Sequence, residues 1–305
     1  MALPVSPAAP VALQQDWDVP EQIGLWTDVW RRFRRNRLSV VGAIVVAILA
    51  LDAILVSLLV PLGIIQDPYK QNVVIALAGP TVHHLLGTDQ LGRDTLSRLM
   101  FGARISLTIG VLVQGIILVV GGTIGLTAGY AGGWVDNLLM RFTDVWYAFP
   151  DLIFVLVLVS VFGPSLLSIF AAIGIVNWVT LARIVRGQVL SIKEKEFVES
   201  ARAVGSSHFK IVTRHLIPNA LGPVIVTLTF GIPQAIFLEA VLSYLGVGIQ
   251  PPTASWGVMV QEGYDAIFSS PGQVFFPAAA IAITMLSFTF IGDGLRDALD
   301  PRMRR

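Results

Sequence analysis

Two sets of side chains in this sequence are of types that could do chemistry. The first is the string Asp89-x3-Arg93-Asp94-x3-Arg98, set among Gly87 and Gly92, in which acids and guanidinium groups alternate at ion-pairing distance along the chain. The chemistry it offers is electrostatic: a turn held by short ion pairs, each worth about 0–1 kcal/mol when exposed. A structural role is therefore expected ahead of direct contact with a substrate. The second set is a scatter of polar residues, Asp52, Gln114, Asn177, Gln234 and Glu239, each inside an apolar run. A polar group at membrane depth is costly and so is a functional-site candidate by default. Bond-making chemistry is not indicated. The chain has no Cys and only 4 His, and lacks any H-E-x-x-H, G-x-S-x-G or G-x-x-x-x-G-K-[ST] string. The adjacent pair His83-His84 is poor metal geometry without further ligands, so no catalytic residue and no metal site is assigned.

The elements that must position these residues are membrane helices. The chain is 54% hydrophobic and 13% charged over 305 residues, with a mean hydropathy of +0.74, where soluble domains spend about a quarter of their residues on charge. Its 21 Lys+Arg nearly cancel 20 Asp+Glu, which leaves no basic excess to meet nucleic acid. Apolar runs at 38–62, 102–129, 137–162, 166–187, 221–247 and 274–293 give six expected spans, each long enough for about 30 Å of hydrocarbon. Gly115, Pro150, Gly174, Pro233 and Pro277 fall inside them and are expected to kink some helices without breaking the bundle. Residues 1–30 carry no basic segment followed by an apolar core and read as a soluble tail. Arg31, Arg32, Arg34, Arg35, Arg37, Arg141 and the basic residues after span four fall on one side. Only Lys70, Arg93, Arg98 and Arg104 fall on the other. The positive-inside rule then puts both termini in the cytoplasm. Gly121-x3-Gly125-x3-Gly129 is a small-residue stripe, expected to be a close-packing seam for another helix.

Between spans four and five, Phe197, Val198, Ala201 and Val204 recur at helical spacing and Gly205 stands where a C-terminal cap would. Ser206 or Ser207 can cap a second helix with Phe209, Val212 and Leu216 on one stripe, ending at Pro218. Periodicity alone allows an interfacial helix resting on lipid or a docking stub for a partner. Gly205 is expected because a side chain would clash with the tight turn.

The spacing Glu199-Ser200-Ala201-x3-Gly205-x9-His215-x-Ile217-Pro218 resembles the E-A-A-x3-G-x9-I-x-L-P loop of ABC-importer permeases, with Ser200, His215 and Ile217 as departures. Further strings are similar to the dipeptide/oligopeptide/nickel group of these permeases, and to its second, C-type subunit. They are Trp30 to Leu38 with Gly42; Gly87-Thr-Asp89-x2-Gly92-Arg93-Asp94-x2-Ser97-Arg98; Arg141-x2-Asp144-x5-Pro150; Ser255-Trp256-Gly257; and Gly292-Asp293-Gly-Leu-Arg296-Asp297-Ala-Leu-Asp300-Pro301-Arg302. Asp151, Ala254 and Thr289 depart from the group's pattern. Asp151 begins an apolar run, and the cost of a carboxylate there argues that it faces water or a partner.

The resemblance implies an all-α, six-helix, type I importer permease. Its parts would be a cytoplasmic tail 1–37, a first transmembrane helix 38–63, an external loop 64–100, a five-helix core 101–293 and a cytoplasmic tail 294–305. A cytoplasmic coupling loop would lie at 190–218. It further implies that Glu199, Ala201 and Gly205, with Pro218 closing the motif, contact a separate ATPase. Phe197 and Val204 would be an apolar plug in that contact. The implied partners are a second homologous permease, two ATPase subunits that bind ATP and Mg, an external substrate-binding protein and the lipid of a bacterial or archaeal inner membrane. This chain itself would bind no cofactor and catalyse nothing. Asp52, in a helix peripheral to the core, is expected to be structural. Gln234 and Glu239 are expected to line the translocation path, with Phe230, Phe237 and Met285 as apolar walls. The cargo expected is a di- or oligopeptide. Nickel chelates, glutathione or oligosaccharides stay open as alternatives, and a self-contained secondary transporter, a channel or an intramembrane enzyme are the rivals of other classes.

Overall fold

The computed structural model describes residues 24–300, so 1–23 of the N-terminal tail and 301–305 of the C-terminal tail, with Pro301 and Arg302 of the closing motif, lie outside the described residues. Among the described residues the chain is helical, with one isolated bridge between Thr88 and Asp94. Four helices are long and apolar enough to cross a membrane, and counting each of two bent pairs as one span gives six.

The segment expected as a tail carries helix α1 (Leu25–Arg35). Phe33 is its buried anchor, Asp28 pairs with Arg31 and Arg32, and Arg34 and Arg35 are exposed. Asn36 then accepts from Ser39 N at 3.3 Å and starts α2 (Arg37–Leu59), the first long apolar helix. An irregular segment leads to Asp94, whose carboxylate accepts from Ser97 N at 2.8 Å and caps α3 (Thr95–Ala131). At 1.5 Å per residue its 37 residues reach about 55 Å, and α3 is the axis on which the other helices pack. Helix thus begins inside the stretch expected as an external loop.

The expected third span is not one kinked helix. It is α4 (Gly133–Tyr147) and α5 (Asp151–Phe162), bent by 84° at Ala148-Phe149-Pro150. Pro150 lacks an N–H and drives Phe149 out of the helical region. The fourth is α6 (Leu166–Asn177) and α7 (Val179–Lys193), bent by 43° at Trp178. No proline is present there; the Asn177 side chain donates to Ile173 O at 2.8 Å and so competes for a carbonyl of the helix ladder. The two breaks share one aromatic cluster. Trp178 stacks on Phe142 with centroids 6.0 Å apart and lies 6.1 Å from Trp146, which in turn lies 5.0 Å from Phe154.

After α7 come α8 (Glu196–Ala203), the single turn α9 (His208–Ile211) and a π-helical turn Val212–Leu216, which passes without interruption into α10 (Ile217–Tyr244). The second loop helix is therefore no separate stub, and Pro218 follows the π turn as the second residue of α10, where it has no N–H to give to that turn. Ser255 caps α11 (Trp256–Tyr264), and α12 (Gly272–Leu299) closes the fold. Both α10 and α12 run through internal prolines.

The core forms around α3, where Ile109, Val113 and Ile117 meet Ile173 of α6, Leu181 and Val185 of α7 and Ala235 of α10. The glycine stripe is the seam for α7, as expected. A Cβ on Gly121 would fall 2.6 Å from Trp178 O, and one on Gly129 would fall 2.8 Å from Val189 Cβ.

Candidate functional sites along the bundle

At the N-terminal end of α3 the alternating acid and guanidinium string folds into a buried ion cluster. Asp89 Oδ2 accepts from Arg93 Nε at 2.6 Å and from Arg98 Nη1. Glu262 of α11 accepts from Arg93 Nη2 at 3.0 and 3.1 Å and lies 2.6 Å from Arg98 Nη2. Arg93 is 3% and Arg98 1% exposed. The pairs are thus not the solvent-exposed, nearly neutral ones expected; removing one member of a buried pair costs about 3–5 kcal/mol. Asp94, besides capping α3, accepts from Ser97 Oγ at 2.7 Å and lies 3.0 Å from His84 Nδ1. Gly87 and Gly92 both have positive φ, and Gly92 (φ +68°) packs so closely on Asn72 O that no Cβ fits. Gln273 of α12 donates to Thr88 O at 2.9 Å, and Trp256 is buried with its Nε1 donating to Leu99 O at 3.0 Å. Beside the cluster is a cavity of about 540 Å³ bordered by Arg93, Arg98, Glu262, Tyr244 and Gln273.

Half-way along the bundle the pathway candidates separate. Glu239, expected to line a path, borders neither cavity: it is 0% exposed and accepts from Ser255 Oγ at 2.7 Å and Ser243 Oγ at 2.8 Å, with Ser106 Oγ at 3.4 Å. It is a hydrogen-bond hub tying α10 to α3 and to the start of α11. Phe230 packs its ring over Gly292 of α12, Phe237 is exposed, and the Met285 carbonyl accepts from Thr289 Oγ1 at 2.8 Å. Only Gln234 of the five lines the mid-depth cavity, which measures about 230 Å³. There it meets Gln114 of α3, Asp151 of α5, Asn177 of α6, and Thr180 of α7. Three of the polar residues singled out in separate apolar runs are thus brought to one place. Asp151, set apart in the sequence by its cost, joins them.

The far end of α3 meets the loop. Lys193 Nζ donates to Gly129 O at 2.9 Å, and Tyr130 OH lies 2.5 Å from His208 Nδ1. Helix α8 ends in a Schellman turn, with Ser206 N donating to Ala201 O at 3.0 Å and Gly205 N to Arg202 O at 2.9 Å. Gly205 has φ +82°, and a Cβ added there would meet nothing within 4 Å, so its requirement is conformational and not the steric clash expected. Val198 is the buried anchor of α8, at 0%. Phe197 is 44%, Val204 87% and Phe209 79% exposed, and Glu199 and Pro218 are exposed beside a half-buried Ala201. Nearby, Arg186 forms a two-point ion pair with Asp136 at 2.5 and 2.6 Å, which sequence spacing did not reveal. Arg183 pairs with Asp144 at 2.9 Å between exposed side chains. At the end of α12, Asp293, Arg296, Asp297 and Asp300 are exposed, and Asp300 N donates to Arg296 O.

Residues 121–305 match the family model described as binding-protein-dependent transport system inner membrane component, and residues 24–82 match the N-terminal TM domain of oligopeptide transport permease C. The oligopeptide transport system permease protein OppC of Bacillus subtilis (strain 168) is 41% identical over 98% of this chain and 97% of its own length. The dipeptide transport system permease protein DppC of the same organism is 43% identical over 91% of this chain and 86% of its own. A glutathione transport system permease protein, GsiD of Pectobacterium atrosepticum, is 37% identical over 92% of this chain and 92% of its own. Among solved structures, an amino acid ABC transporter with histidines shares the fold, with a TM-score of 0.51 at 17% identity over 66% of this chain and 94% of that one. The chain therefore belongs to the binding-protein-dependent transport system inner membrane components, as a membrane permease of the ABC-importer family.

Proposed function

We propose that this chain is the C-type permease of an ATP-driven importer of di- or oligopeptides. It forms half of the translocation path beside a second homologous permease. Two ATPase subunits, which hold ATP and Mg, engage the α8 end on the cytoplasmic side, and an external binding protein delivers cargo to the opposite end. The observation that carries the reading is the α8–α9 corner. A Schellman turn at Gly205 leaves Val204 and Phe209 standing out as apolar knobs, and the turn feeds through α9 and the π turn into the unbroken helix α10. A push on the corner is thereby delivered along α10 to mid-depth, where Gln234 borders the cavity. Peptide cargo follows the OppC and DppC relatives; the glutathione permease relative keeps glutathione as a second reading.

The test is co-purification of the tagged chain from detergent, with and without Gly205→Arg, followed by mass spectrometry. Wild type is expected to bring down two ATPases and a second permease, and the variant to lose the ATPases while keeping the permease. A chain that purifies without any ATPase overturns the reading. Uptake of labelled dipeptide against labelled glutathione by vesicles carrying the whole transporter separates the two cargoes.

A further inference from the structure

Three of the polar groups walling the mid-depth cavity, Gln114, Asp151 and Gln234, have side-chain atoms without a partner among the described residues. Gln114 is 7% exposed, yet its Nε2 is buried with no hydrogen-bond partner. Its amide has room only because residue 231 is glycine; a Cβ there would fall 2.7 Å from the amide carbon. Asp151 and Gln234 are both exposed at the cavity, and neither forms a hydrogen bond or ion pair among the described residues. Both helix breaks open onto this space: Asp151 is the first residue after the 84° bend, and Asn177 and Thr180 flank the 43° one. Among the described residues Asp151 is the only ionisable side chain in the wall, and no Lys, Arg or His lines it. Unpaired amides and a carboxylate at this depth are a standing cost that a complementary solute offsets.

We infer that the cavity seats an ammonium group of the transported solute. Asp151 supplies the counter-charge and the amide oxygen of Gln234 a further acceptor, while the orphaned Gln114 Nε2 is a donor and takes a carbonyl oxygen of the same solute. An ammonium brings donors and no acceptors, which suits a wall whose one charge is negative. At about 230 Å³ the space is smaller than the roughly 300–1,000 Å³ of pockets that enclose a whole ligand, so it takes one end of a cargo. The inference rests on the peptide reading for the identity of that end, the free amino terminus. An N-acylated end brings no positive charge and leaves Asp151 unpaired.

The chain has no cysteine, so Thr180→Cys gives it one thiol, on the cavity wall, whose labelling is read on this chain within the full transporter in membrane vesicles. Its reaction with a trimethylammonium methanethiosulfonate is expected to outpace that with the sulfonate analogue. Asp151→Asn is expected to slow the cationic reagent and speed the anionic one, each by roughly tenfold, so that the preference falls by roughly a hundredfold, as for one unit charge at ~10 Å and an effective dielectric near 20. Asp151→Glu is expected to restore it and controls for misfolding. Alanyl-alanine is expected to slow labelling where Asp151 is present and not where it is Asn, and N-acetyl-alanyl-alanine to slow it in neither. A reagent preference indifferent to Asp151→Asn, or equal protection by the acetylated peptide, overturns the inference. Uptake of alanyl-alanine by the same vesicles is scored separately. Uptake without protection sinks the ammonium seat alone, whereas protection without uptake leaves the seat standing and removes the peptide-import reading.

Discussion

Arg98 holds two carboxylates at once, Asp89 from the segment before α3 and Glu262 from α11, while being 1% exposed. Replacing it by Ala leaves Glu262 with Arg93 alone and Asp89 short of a partner in a buried place. Arg98→Ala is expected to cost about 3–5 kcal/mol, read as a lowered thermal midpoint of the detergent-solubilised protein and a fall in its amount in the membrane. Arg98→Lys keeps the charge but loses the planar fork that serves two acceptors, so it is expected to recover only part of the loss. Three of the cluster's four members are legible in the sequence, because Asp89, Arg93 and Arg98 lie within ten positions and their spacing invites pairing. Glu262 is not, since it meets Arg93 across 169 positions. Glu239 is a mixed case, with Ser243 one helical turn on and Ser255 sixteen positions away but Ser106 across 133. A carboxylate in an apolar helix looks the same in one dimension whether it faces a path or a ring of hydroxyls.

Helix α3 and α7 approach through glycine, and that seam was legible because four-residue spacing of small residues has one steric meaning. A Cβ on Gly125 would run into Ala182 O and approach Val185 Cβ within 2.9 Å. Gly125→Leu is expected to force the two helices apart at a cost of about 1–3 kcal/mol or more, whereas Gly115→Leu, with nothing within 4 Å, is expected to be near neutral for the isolated chain. Thermal midpoints of the two variants, measured side by side, check the difference. The bend between α4 and α5 was less legible. Pro150 announces a kink, but its size follows from what the two arms pack against. Phe142 and Trp146 before the bend and Phe154 after it converge on one aromatic cluster with Trp178. The α6–α7 bend carries no proline at all, and its only local sign is the Asn177 side chain turned back on Ile173 O.

At the scale of the molecule, sidedness rests on the uneven distribution of Lys and Arg, and two exposed valines at opposite ends of the bundle can test it. Val82, 91% exposed, belongs to the segment before α3, and Val204, 87% exposed, stands at the α8–α9 corner. With no native cysteine in the chain, a membrane-impermeant maleimide is expected to label Val82→Cys in intact cells and Val204→Cys only after permeabilisation. The reverse pattern inverts the topology. The helical class, the apolar runs and the loop motif were all readable from the sequence, because each is a local repeat or a contiguous string. The mid-depth cavity was readable only as its separate parts. Gln114, Asn177 and Gln234 were each conspicuous for polarity in an apolar run, but no rule of spacing says that three runs bring them to one wall.

The aromatic cluster joining the two bends has an optical consequence. Trp146 and Trp178 sit 6.1 Å apart, one on each broken span, and Trp178 directly precedes the helix that carries Thr180 to the cavity. Neither bend can straighten without separating or turning these indoles. Their ultraviolet emission is therefore expected to respond to the angles of the two broken spans, a signal that replacing the chain's other five tryptophans by phenylalanine would isolate.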